Sequence, residues 1–234
     1  TVFNLLVGED ASPARSTAAA TRHPVLAANL IRYRQCLAGR LMPEFNPVML
    51  EDPEGAISKG YGEDTLFIFP AESLPNQLLF LDTPDVDSIE RENWKVAKHI
   101  RAAGDVLIAL LTPEKYKDER VISFFREAHA SGRLIVPVMN KANPENEFEV
   151  ARTQIGDFCS DVGLTAATCF ALPHDFGIGD SYAGVAIASL QGAPPLRDYL
   201  EGLNVYKIKE RVYKDSVQHF TQAATDFLSK VGDT

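Results

Sequence analysis

The chain has 234 residues, 45% of them hydrophobic, enough to bury one large core with or without an appendage. A formal net charge of -9 excludes a general phosphate-backbone binder, which needs clustered Lys and Arg, so nucleic acid is not an expected partner. Cys36, Cys159 and Cys169 have neither CxxC spacing nor an even count, which argues against a disulfide framework or zinc knuckle and suits a cytoplasmic location; no apolar run reaches the ~18 residues of a membrane span.

Thr1 to Gly8 is dense in apolar residues and stops at a glycine, predicting a short buried helix. Glu9 to Pro24 is rich in small residues and reads as a loop, with His23 a loop residue beside a proline. The stretch around 25–63, punctuated by Pro43, Pro47, Pro53 and Gly55, reads as an insertion. Asp64 to Phe69 alternates, and the turn PAESLPN predicts that it pairs with Gln77 to Leu81 as an antiparallel hairpin at the sheet edge. The run Leu78 to Leu81 ends abruptly in Asp82-Thr83-Pro84-Asp85, a strand that delivers a carboxylate to its carboxyl end, where open α/β sheets keep their ligand crevice.

Ile89 to Ala103 has helical spacing, Asp105 to Leu111 is a buried strand, and Val121 to Ala130 is a helix with Gly132 as its cap. Arg133 to Met139 is a second apolar strand, running into Asn140-Lys141-Ala142-Asn143. A helix over Glu145 to Val162 and a strand over Ala166 to Leu172 complete an alternation that predicts a doubly wound, mostly parallel α/β sheet. From Val205 the apolar positions 205, 208, 212, 217, 220, 224, 227 and 231 advance by threes and fours with one slip, between 212 and 217. They predict an amphipathic C-terminal helix over 204–234, ~40 Å long, whose stripe serves as core, homodimer contact or helical-partner contact.

Asp82-Thr83-Pro84-Asp85 and Asn140-Lys141-Ala142-Asn143 resemble the DxxG and NKxD signatures of P-loop GTPases, and Thr1 to Leu6, TVFNLL, resembles the helix after the phosphate loop in the Era-like and dynamin-like branch. The resemblance covers residues 1–203 and implies a Ras-like GTPase domain with GTP or GDP and magnesium as cofactors, slow hydrolysis and loops that switch with the nucleotide. It also implies that the glycine-rich phosphate loop and its strand lie upstream of residue 1, since residues 1–234 contain no GxxxxGK[ST].

The site residues follow from the same resemblance. Thr1 borders the phosphates, Thr21 holds magnesium and the γ-phosphate from switch I, and Asp82 holds magnesium. The backbone of Asp85 faces the γ-phosphate, Asn140 ties loops together, the Lys141 stem covers the base, Asn143 reads the base edge, and the backbone of Ala171 touches the base. Arg15 and Arg22 read first as solvated loop arginines, and as cations available to a transition state in the resemblance. Three features depart from the family. Asp85 replaces a glycine, Val86 replaces the water-orienting glutamine, and Asn143 replaces an aspartate, which weakens guanine and admits xanthine. A catalytically inactive pseudo-GTPase acting as an interaction module is the alternative reading.

Overall fold

The computed structural model describes residues 2–13, 23–39, 41–58, 60–83, 103–173, 182 and 186–232. It divides into two compact units, the first of residues 1–103, 175–188 and 194–201, the second of residues 104–174, 189–193 and 202–234. Each is α/β, with a four-stranded sheet of its own where the alternation of elements predicts a single doubly wound sheet. Alternation dictates that successive strands run parallel through a helical crossover, but it does not dictate which edges are shared.

In the first unit, α1 (Val2–Val7) buries all but one of its residues and ends at Gly8, whose φ of +84° is a left-handed conformation that costs glycine nothing. The strands are β1 (Val25–Ala28), β2 (Asn46–Met49), β3 (Thr65–Pro70) and β4 (Leu79–Asp82), ordered β2-β3-β1-β4. The predicted hairpin between β3 and β4 is corrected here: β1 lies between them, parallel to β3 and antiparallel to β4. Val25, Leu26, Ala27 and Ala28 are all buried, so both ladder edges of β1 have to be satisfied by neighbours. The connector after β3 carries the chain past β1, tied by Ala71 N–H donating to Ala28 O at 2.8 Å and by the Asn29 amide donating to Leu74 O at 2.9 Å. The stretch read as an insertion thus supplies β1, β2 and helix α2 (Leu30–Leu37), and Pro47 is tolerated because β2 is an edge strand.

The second unit has β5 (Val106–Leu111), β6 (Leu134–Ala142) and β7 (Phe170–Pro173), in parallel neighbouring pairs, and the order β5-β6-β7-β8 ends in the two-residue β8 (Ala188–Ser189), of which Ser189 belongs to this unit. Helix α3 (Glu119–Ala130) starts where the Asp118 carboxylate accepts from the N–H groups of Arg120 and Val121, and buries Val121, Ile122, Phe125 and Ala128. Helix α4 (Glu149–Val162) buries Ala151, Ile155, Phe158 and Val162, and Phe158 meets Phe125 edge to face at 5.7 Å. A short helix α5 (Leu196–Glu201) belongs to the first unit, where Arg197 donates to Ser73 O at 2.6 Å.

The last element, α6 (Val205–Gly232), spans 28 residues and docks by its first half. Val212 is buried, Lys209 reaches Asp105 at 3.6 Å, and Asp215 sits so close to Gly132 that a Cβ there would lie 2.5 Å from its carboxylate. Gly132 therefore does two things: its φ of +78° ends α3, and its missing side chain admits α6.

Candidate functional site

The acid end of β4 is held by a short chain of contacts within the first unit. Asn4, fully buried on α1, uses its whole amide on the loop that follows. Its nitrogen donates to the Asp10 carboxylate at 2.9 Å and to Ser12 O at 2.8 Å, and its oxygen accepts from Ala11 N at 3.2 Å and Ser12 N at 2.9 Å. The loop is thereby fixed with the Ser12 hydroxyl donating to Asp82 Oδ2 at 2.5 Å. Asp82 is half-buried at the carboxyl end of its strand, a hard oxygen donor restrained from turning away. One such carboxylate with substrate phosphates and waters is a fitting set for magnesium, which retains several waters. Among the described residues no group of three or more His, Cys, Asp or Glu gathers as a metal centre.

Thr1, Arg15, Thr21, Arg22, Asp85 and Val86 lie outside the described residues. His23 is described and is structural: it is buried, its Nε2 lies 3.1 Å from Ser58 O, and its ring meets Phe67 and Tyr61 edge to face. It sits in a loop, as its sequence context predicts, but packed inward.

The second unit positions the other motif. β6 runs parallel to β7 with Met139 opposite Ala171 and Ala142 opposite Pro173, and the register shifts in between. That irregularity falls at Asn140 and Lys141. Asn140 turns its Oδ1 to accept from Lys141 N at 3.0 Å, and Lys141, exposed, has a φ of +56°. Among the described residues, positive φ outside glycine occurs at Lys141, near the end of β6, and at Asn146 and Phe148 in the 3-10 turn that follows. Such conformations cost of order 1–3 kcal/mol each and persist where the surroundings over-determine them.

Asn143 is exposed and engaged locally. Its Oδ1 accepts from Glu145 N at 3.0 Å and its Nδ2 donates to Glu145 Oε2 at 3.1 Å, so it opens the 3-10 turn Glu145–Phe148. Glu145, which the motif reading passed over, is the carboxylate of this loop, and its signal in the sequence was an acid two residues beyond an Asx-turn residue. Ala171 is fully buried inside β7 with its backbone in the ladder, rather than at the strand end.

The Cys159 thiol on α4 lies beside the Cys169 thiol just ahead of β7, whose Sγ donates to Ala167 O at 3.3 Å. Donation from Cys159 draws the Cys169 thiol below its ordinary range, against the effect of burial and with help from Gln191, while Cys159 is pushed up. Replacing Cys159 by alanine is expected to move the thiolate absorbance titration of Cys169 to higher pH; an unmoved titration would show that Gln191 alone sets it.

No protein family, curated protein or solved structure matches this chain.

Proposed function

We propose that the chain is a guanine-nucleotide-binding protein of Ras-like winding, with slow magnesium-dependent GTP hydrolysis and loops that respond to the nucleotide. The observation that carries this reading is the irregular end of β6 and the turn after it. Asn140 and Lys141 leave a parallel strand at a break in the ladder, in a segment that gathers every described left-handed non-glycine residue. Strain of that kind is characteristic of ligand clamps and switch regions. The first unit supports the reading separately, because β4 is an edge strand that ends in a carboxylate restrained by Ser12.

In this reading Asp82 holds magnesium, Thr1 and Thr21 border the phosphates and metal, and the backbone at Asp85 meets the γ-phosphate. The Lys141 stem covers the base and Asn140 braces the loop. The base edge is read by Glu145, whose carboxylate offers the paired acceptors that the Asn143 amide lacks and is oriented by that amide. Calorimetric titration of GTP, XTP and ATP with magnesium into the full-length protein tests it. GTP is expected to bind more tightly than ATP or XTP, and Glu145→Ala to weaken GTP by about ten- to hundredfold, the cost of unpaired guanine donors. Tighter XTP than GTP binding would return base choice to Asn143.

The alternative, an inactive GTPase fold kept as an interaction module, is favoured by one feature: the Asn143 amide is committed to Glu145 on both its atoms. Absence of any nucleotide binding in the same titration would overturn the enzyme reading and leave this one.

A further inference from the structure

Helix α6 carries two apolar faces. The first, around Val212, faces the rest of its unit together with Lys209 and Asp215. The second is bare: Tyr206 is 89% exposed, Tyr213 72%, Val217 47%, Phe220 76%, Phe227 66% and Leu228 67%. At about 100° per residue this stripe is turned roughly a third of a turn from the Val212 face, so docking the first face leaves the second in solvent. Contiguous exposed apolar surface on this scale marks a contact site.

The spacing says what kind. Tyr206, Tyr213, Phe220 and Phe227 recur every seventh residue, with Val217 and Ala224 four residues after Tyr213 and Phe220. A strict seven-residue repeat keeps one seam facing a partner helix in a left-handed supercoil, whereas ordinary core helices drift at 3.6 residues per turn.

We propose that this stripe is the seam of an antiparallel coiled coil formed with α6 of a second copy of the chain. Its two core positions differ in size, aromatic at one and Val217 or Ala224 at the other. An antiparallel pair sets each aromatic against a small residue: Phe220 packs on Ala224 of the second copy, and Phe227 packs on Val217. A parallel pair sets phenylalanine on phenylalanine and alanine on alanine, overfilling one layer and leaving the next open. The stripe is therefore complementary to itself about a two-fold axis near Thr221, Gln222 and Ala223, the geometry of an isologous contact.

Charge agrees. Beside the seam, the antiparallel pair places Lys214 against Leu228 of the second copy, with Thr221 facing Thr221 and Ala223 facing Ala223. The parallel pair instead brings Lys209 to Lys214. Lys214 is already paired with Glu210 of its own helix at 2.7 Å, so the antiparallel contact leaves no like charges opposed.

Sedimentation equilibrium of the full-length protein tests the proposal, with far-UV circular dichroism to confirm that variants keep their helix. The expected result is a dimer that Phe220→Asp converts to a monomer and that Gln222→Lys, on the opposite side of the helix, leaves intact. Thr221→Cys is expected to cross-link two copies on mild oxidation, and Gln222→Cys, facing away from the seam, is not. Thr221 lies near the axis only in the antiparallel arrangement. A wild-type monomer, a dimer indifferent to Phe220→Asp, or a dimer that Thr221→Cys fails to cross-link would each overturn the proposal; the first would leave the stripe to an unrelated helix.

Discussion

Replacing Asn4 by alanine is expected to lower stability by about 3–5 kcal/mol, a large part of the 5–15 kcal/mol that holds a typical domain. The side chain is fully buried and all of its hydrogen-bonding capacity is used, on the Asp10 carboxylate, Ser12 O and the N–H groups of Ala11 and Ser12. Ala11 and Ser12 are themselves buried, so their backbone groups are orphaned when the amide goes, at about 1–3 kcal/mol each where water cannot reach. Urea denaturation reads the effect as a lower midpoint at unchanged slope. Asn4→Asp keeps the acceptor but sets a buried carboxylate against Asp10 and Ser12 O, and at neutral pH is expected to cost at least as much as alanine. A loss below about 1 kcal/mol for Asn4→Ala would mean that the loop is held by something other than this amide.

Replacing Asp82 by alanine is expected to cost little stability and, in the function proposed above, most of the magnesium-dependent hydrolysis. Asp82 is half-buried at a strand end, and the hydrogen bond it accepts from Ser12 is worth about 1 kcal/mol. A carboxylate that fixes a metal on transferring phosphate contributes several kcal/mol to the transition state, and phosphate release should slow by about a hundredfold or more. Ser12→Ala removes only the restraint on that carboxylate, and a smaller loss, about tenfold, is expected. Phosphate release measured against magnesium concentration separates the two. A rate untouched by Asp82→Ala would remove the β4 terminus from the site.

Much of the element map was legible in the sequence. The apolar runs over 79–81, 106–111 and 134–139 are strands; β6 is buried along most of its run, whereas β4 is half-buried and Leu110 of β5 is exposed. Glycine ends α1, α3 and α4 at Gly8, Gly132 and Gly163, all at positive φ, where a side chain would be strained. The candidate residues Asp82, Asn140 and Lys141 were findable because each ends an apolar run, and a polar residue at the end of a buried strand is a local signal. Ser12, Asn4 and Glu145 were not findable in that way. Ser12 meets Asp82 across 70 positions, Asn4 is an asparagine hidden in an apolar helix, and Glu145 gains its place from the turn that Asn143 makes.

What the sequence determined by itself was local: where strands and helices start and stop, which ends carry chemistry, and that the last helix is amphipathic. These follow from periodicity, capping and turn chemistry within a few residues. Only the tertiary structure decided which strands are neighbours. It put β1 between β3 and β4 because a fully buried strand needs partners on both edges, however inviting the turn beside it. It also explained the slip between 212 and 217. The apolar positions before the slip follow the face that Val212 buries, and those after it follow the exposed heptad stripe. Periodicity records that a residue is apolar; whether it meets its own domain or another helix depends on packing across the whole chain.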